Sequence, residues 1–296
     1  MPDGRVLACG LATLDVVQVV ERMPGANEKV VALSTRVEAG GPALNAAVTA
    51  ALLGMPSRLA TALGRSPLAE VVREDCAAHG VELVDVAAEG FEVPVSSVLV
   101  TESTGERAVV SRNAVGVSSW ASVDVVSVLD GVSAVLVDGH HLPVAVAVAA
   151  AAREHGIPVL ADAGSWKPGL EALLAHVDVL VASADLRVPH GGSDLACLLA
   201  LGPTWVARSA GADPVRWLSA DGSSGSVAVP IVGVVDTLGA GDVLHGTFVA
   251  DLARHGTADL PGTLTRAVAV AARSVGASGV RGWAPVSTRL SGPRRP

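Results

Sequence analysis

Asp242 closes the run Val235-Asp236-Thr237-Leu238-Gly239-Ala240-Gly241-Asp242, and a helix-length stretch, Val243 to His255, follows it. Gly239 and Gly241 permit a turn whose consecutive N–H groups point into one concavity, and a helix starting there adds the positive end of its dipole. Such a turn is a hole for an anion. When a phosphoryl group is transferred, charge spreads over its equatorial oxygens, and fixed N–H donors stabilise that charge without reorganising. The carboxylate of Asp242, at the mouth of the same helix, is placed to take a proton from an attacking hydroxyl. An ordinary acidic residue stabilised by the dipole would look the same, and the two glycines tip the reading toward chemistry.

A second constellation lies far upstream, in Glu38-Ala39-Gly40-Gly41-Pro42-Ala43-Leu44-Asn45, running into an apolar stretch that ends at Gly54. Gly40 and Gly41 let a ligand approach the backbone, and Pro42 suits the first helical turn, where its missing N–H is not needed. Asn45 then sits one turn in, with one acceptor and two donors, a set that suits sugar hydroxyls. A plain glycine turn entering a helix remains open for this segment alone.

Other nucleotide chemistries are excluded. Lysine occurs only at Lys29 and Lys167, and neither follows a glycine, so there is no Walker-A loop. No GxGxxG follows a strand. Gly222-Ser223-Ser224-Gly225 is followed by Ser226, which spoils a nucleophile elbow. The His140-His141 pair lacks acidic or Cys partners at metal-ligand spacing. His245, three residues after Asp242, shares its helix face and reads as a packed or cleft-lining residue, with a dyad as the alternative.

These residues need a scaffold, and the pattern supplies one. Apolar β-rich runs alternate with helical stretches: Val132 to Asp138 then Val144 to His155, Ile157 to Ala161 then Leu170 to His176, Val177 to Ala182 then Asp194 to Leu201. Continuously apolar strands imply helices on both faces of a mostly parallel sheet. Gly54, Gly80, Gly156 and Gly202 fall where left-handed helix ends are expected. Two stretches break the rhythm, Val16 to Glu38 and Ser96 to Asn113, and the second reads as a hairpin turning at Ser103-Thr104-Gly105-Glu106. Together they suggest a small sheet lying as a lid over a cleft.

The 296 residues are 50% hydrophobic and 17% charged, with 29 acidic against 21 basic residues, a net charge of −8 and no Tyr. That balance disfavours nucleic acid, which calls for clustered cations and stacking aromatics. The longest apolar run, Leu142 to Ala152, falls short of the roughly 20 residues that span a bilayer. No apolar leader precedes Val6-Leu7-Ala8-Cys9, which reads as a first core strand, so the expectation is a cytoplasmic protein. Cys9, Cys76 and Cys197 are widely spaced and read as buried thiols. Ser287 to Pro296 reads as a frayed tail.

Gly40-Gly41-Pro42 with Asn45 resembles the amino-terminal signature of the PfkB, or ribokinase-like, carbohydrate kinase family, and Asp236 to Asp242 resembles its DTxGAGD signature. Gly10 to Asp15 is similar to the family's first strand and sugar-contacting Asp, Gly105-Glu106-Arg107 to its lid hairpin, and Val206 to Gly211 to its nucleotide-side strand. The resemblance implies a single α/β domain over 1–296, a three-layer αβα sandwich with a mostly parallel sheet and a β-sheet lid formed by about 13–38 and 96–113. It implies a sugar held by Asp15, Gly40, Gly41 and Asn45, with Asp242 as base and the N–H groups of Gly239, Ala240 and Gly241 as anion hole. ATP would lie beside Ser183, Asp185, Ser209, Gly211 and Thr237, with Mg²⁺ on its phosphates. The resemblance leaves a monovalent cation and a homodimer through the lid open.

Where that family usually carries Asn-x-x-Glu, this chain has Ser183-Ala184-Asp185-Leu186, and Asp185 is the acid left to hold the metal through water. Ser183, Asp242 to Gly246 and Lys29 resemble the ketohexokinase and sulfofructose kinase branches, which points to a ketose. His140 and Ser111 stand where the latter branch holds a sulfonate, while Lys29, Arg107 and Arg112 are the cations available to an anionic substituent. The expected activity is ATP-dependent phosphorylation of a sugar hydroxyl. A noncatalytic sugar- or nucleotide-binding protein, a nucleoside kinase and a sugar-phosphate kinase are the alternatives.

Overall fold

The computed structural model describes residues 4–113, 123–189, 191–192 and 194–284, and the expected tail at Ser287 to Pro296 lies outside them. Thirteen strands are described: β1 Arg5–Cys9, β2 Thr13–Val20, β3 Ser34–Gly40, β4 Ser57–Thr61, β5 Val81–Asp85, β6 Val95–Thr101, β7 Arg107–Ser111, β8 Val132–Val137, β9 Val159–Ala163, β10 Val179–Ala182, β11 Trp205–Ala210, β12 Asp213–Ser219 and β13 Ser224–Val227. Eight helices join them: α1 Pro42–Leu52, α2 Pro67–Ala78, α3 Val125–Val128, α4 Leu142–Glu154, α5 Leu170–Leu174, α6 Leu195–Leu199, α7 Ala240–His255 and α8 Leu260–Ser274.

Nine strands form one sheet in the order β13-β12-β11-β10-β9-β8-β1-β4-β5, parallel except where β12 pairs with β11 and β13. Alternation within each apolar strand feeds two cores. Val6 and Ala8 of β1 and Val179 and Val181 of β10 join α1, α2, α7 and α8 on one face. Leu7, Cys9, Leu180 and Ala182 join α3 to α6 on the other. The strands are apolar on both sides because both sides are covered, and the three-layer αβα arrangement follows.

The chain leaves β1 toward β4 and β5 on one side and later builds β8 to β11 on the other. A crevice therefore opens at the carboxyl ends of β1 and β8, where open α/β sheets bind ligands. Over it lies the second sheet, ordered β3-β2-β6-β7, with β2 parallel to β6 and the remaining pairs antiparallel. The expected hairpin is there, with Leu99 opposite Ala108 and Val98 opposite Val109. Gly54, Gly80, Gly156 and Gly202 all have positive φ beyond their helices. One expectation needs correction: Cys9 and Cys76 are buried, but Cys197 is only half-buried. The helix carrying it, α6, is five residues long and turns Leu198 into the core instead.

Candidate active site

Two helix starts meet in the crevice. Gly41 caps α1 at φ 99°, and a Cβ there would stand 2.5 Å from the Leu11 carbonyl oxygen and 2.9 Å from the Ala12 Cα. Only glycine lets the loop leaving β1 pass so close. Pro42 opens the helix, and one turn on Asn45 is 5% exposed. Gly239 caps α7 at φ 72°, packed against Val280, and no side chain caps that helix. The Ala240 N–H makes a long contact with the Thr237 carbonyl at 3.4 Å, while the N–H groups of Gly241 and Asp242 are left to the crevice side of the turn. The turn before α7 is braced by Asp236, whose carboxylate accepts from the Leu238 N–H at 2.9 Å and the Gly279 N–H at 3.0 Å.

Asn45 Nδ2 donates to Asp242 Oδ2 at 2.7 Å. The Asn45 Oδ1 is buried without a hydrogen-bond partner, and the residue lines the crevice. The two helices come this close because of Gly246, where a Cβ would meet the Ala46 carbonyl oxygen and the Thr49 Cβ, each at 2.6 Å.

Three of the acids lining the crevice are in unlike states. Asp138, at the end of β8, accepts from Leu11 N at 2.8 Å, Ala43 N at 3.2 Å and His140 N at 2.9 Å. Burial opposes its ionisation, but the His140 ring 3.2 Å away and these N–H donors hold its carboxyl well below the usual range. Asp162, in β9, is pushed up by burial, with the His245 ring 3.3 Å away pulling it back. Asp242 is pushed up to about 7, first by burial and then by Asp162, while the Asn45 hydrogen bond and His245 act against the rise. His245 is not the partner of Asp242 in a dyad, since its ring nitrogens face Gly241 O, Val181 O and Asp162.

A cavity of about 550 Å³ joins these groups to the smaller sheet. Asp15, Gly40, Gly41, Asn45, Arg107, His140, Ser183, Ser209, Thr237 and Gly239 to Asp242 all line it. A second cavity of about 580 Å³ shares Arg107, Ser183, Ser209, Thr237, Ala240 and Gly241 with the first and adds Asp185 and Gly211. Its far wall is apolar, with Val215, Val229, Ile231, Val268 and Val275 among its residues. Arg107 Nη1 reaches across from the smaller sheet to Thr237 Oγ1 at 3.1 Å. Lys29 and Arg112 are exposed and line neither cavity.

The pfkB family carbohydrate kinase profile matches residues 3–286. The chain belongs to that family. As a PfkB enzyme it is a carbohydrate kinase, and the fold and the two glycine signatures agree with the match. Mouse ketohexokinase is 25% identical, over 86% of this chain and 91% of its own. Among solved structures, ribokinase from Giardia lamblia superposes with a TM-score of 0.82 at 18% identity, covering 96% of each chain. Arabidopsis thaliana ribokinase, complexed with ribose and ATP, gives 0.75 at 21%, covering 93% of this chain and 94% of its own.

In this PfkB kinase the Ser183 to Leu186 segment forms a tight turn. Ser183 Oγ accepts the Asp185 N–H at 3.1 Å, and Arg208 Nη2 donates to the carbonyls of Ala184 and Leu186 at 2.9 and 2.8 Å. The His141 ring is buried, has its pKa pushed down to about 4 by that burial, and packs edge-on against Phe91. Among the described residues no group of His, Cys, Asp or Glu is arranged to hold a metal by itself. Sequence reasoning passed over Asp138, Asp162 and Lys167, all lining the first cavity. The available signal was an acid at the carboxyl end of an apolar strand, in Val132 to Asp138 and Val159 to Asp162.

Proposed function

We propose that this PfkB kinase transfers the γ-phosphoryl group of ATP to a primary hydroxyl of a ketose, with Asp242 as general base. The observation that carries the reading is the Asn45–Asp242 pair set beside the uncapped start of α7. Sugar in the first cavity lies against Asn45, with Asp15, His140 and the Gly40-Gly41 backbone around it. The nucleotide base occupies the apolar second cavity, and its phosphates point through the shared residues toward Gly239, Ala240 and Gly241.

In the reaction the sugar oxygen forms a bond to the γ-phosphorus as the bond to the β-phosphate oxygen breaks. The hydroxyl proton passes to Asp242, whose raised proton affinity suits that acceptance near neutral pH. N–H groups at the start of α7 receive the charge gathering on the phosphoryl oxygens. The smaller sheet acts as a lid that keeps water from competing with the sugar. Mg²⁺ binds typically through one or two carboxylates plus substrate phosphates, so Asp185 in the second cavity is a fitting donor. When bound, the ion would offset charge on the phosphates.

Support for a ketose comes from the match to mouse ketohexokinase over nearly its whole length. Exposed Val37 and Val110, in one cross-strand row of the smaller sheet on the face turned away from the cavity, support its pairing with a second copy. ADP release measured over ketoses, aldoses, pentoses, sugar acids and nucleosides tests the assignment. Fastest turnover on a ketose supports it, and a pentose or nucleoside leading the panel rejects the ketose. No turnover with measurable sugar binding would make the protein a noncatalytic member of the fold.

A further inference from the structure

His245 sits on α7 directly below Asp242 and is 5% exposed. Its Nδ1 lies 2.7 Å from the Gly241 carbonyl oxygen, and its Nε2 lies 3.1 Å from the Val181 carbonyl oxygen at the end of β10. A neutral imidazole has one N–H and one lone pair, whereas a carbonyl oxygen can only accept. With one proton, whichever nitrogen lacked it would press a lone pair against a buried carbonyl. Two protons satisfy both contacts. The charge that results has a counter-ion in place, since Asp162 Oδ2 from β9 lies 3.3 Å from Nδ1.

We propose that His245 is held as an imidazolium and serves as a positioning residue, bracing the first turn of α7 against β10 and cancelling the charge of Asp162 beside the base. The proposal rests on Asp242 being that base. The brace runs through the Gly241 carbonyl, which belongs to the peptide joining Gly241 to Asp242. It therefore fixes the phosphate-facing turn and the carboxylate together. The cancellation matters because Asp162 is the like charge that raises Asp242 most. Asp138 acts on both acids from the end of β8, and Lys167 and His140 also act on Asp162, so His245 is one member of a charged set. It is the member that joins Asp162 to the helix of the base.

The first test uses the full chain without ligands. With ¹⁵N-labelled histidine, and His245 assigned through its backbone, both ring nitrogens are expected to resonate as protonated at pH 7. A single protonated nitrogen overturns the proposal. The second test is kinetic. His245→Gln keeps hydrogen-bonding capacity without the charge, and the acid limb of kcat should move to higher pH by about one unit, the size expected for exposing a close like charge. His245→Gln combined with Asp162→Asn should return the limb to its original place. A uniform fall in kcat with an unmoved limb would show a packing role only and would reject the positioning claim. If Asp242→Asn keeps normal turnover, the base assignment fails while the ring protonation can still be read, so the two failures are separable.

Discussion

Asn45 and Asp242 stand 197 residues apart in the chain and are joined by a hydrogen bond of 2.7 Å. The amide nitrogen steadies the carboxylate, and the amide oxygen is left buried without a partner. A sugar in the adjoining cavity would lie beside both residues, next to the proposed base.

Replacing Asp242 by Asn keeps the shape and the contact with Asn45 but removes the base. We expect kcat to fall by about 10²- to 10⁴-fold, the usual contribution of a general base, with the Kd for sugar nearly unchanged. Steady-state kinetics alongside calorimetric titration of the sugar would check this, and turnover within a few fold of the native enzyme would remove Asp242 from its role.

The pH dependence follows from the same carboxyl. It must be ionised to accept a proton, and its pKa is pushed up to about 7, so kcat should decline as pH falls through that region with a one-proton slope. Stability runs the other way. Because the folded pKa exceeds the ordinary 3.8, the contribution of Asp242 is fully present below that value and is lost as pH rises toward about 7. Asp242→Asn should therefore melt above the native protein at pH 8 and close to it at pH 4, as thermal scans at the two pH values would show.

Asn45→Ala removes a donor that favours the ionised form of the proposed base and a polar side chain from the wall of the first cavity. We expect kcat/KM to fall about 10- to 100-fold, as for loss of one or two buried hydrogen bonds, and the acid limb to shift to higher pH. A loss in KM alone, with the limb fixed, would mean that Asn45 touches sugar but does not tune Asp242.

Gly246→Ala tests whether close helix packing supports the chemistry. The added methyl would collide with Ala46 and Thr49 and push α1 away from α7. Overpacking of this kind costs about 1–3 kcal/mol, so Tm should drop by several degrees. The kcat at a temperature where the variant is folded should fall as well, because the Asn45–Asp242 contact is stretched. Unchanged kcat in the folded variant would show that the contact tolerates the displacement.

Local signals made much of this legible. Gly41-Pro42 and Gly239 announce helix starts through conformations open to few residues, and the apolar strands announce a sheet covered on both faces. Asp138 and Asp162 carry only the weaker mark of an acid closing an apolar run, because what makes each important is the strand order that brings β8 beside β1 and β9 beside β8. Lys29 shows the converse problem. A cation in the Val16 to Glu38 stretch has a sign in the sequence but no direction, and the fold leaves it in solvent. Cys197 was misjudged for a similar reason, since a short helix turns few of its residues inward.

The last residue of β3 is Gly40, and α1 begins two positions later, so the covering sheet and the helix that bears Asn45 are continuous through a pair of glycines. Gly40 also lies flush against Asp15, where any side chain would fall 2.0 Å from its carboxylate. Were the sheet to tilt around an arriving sugar, the movement would pass through these glycines to Asn45, the partner of the proposed base. A poorly shaped sugar would leave that movement unmade, and selectivity between sugars should emerge in how fast they react more than in how tightly they are held.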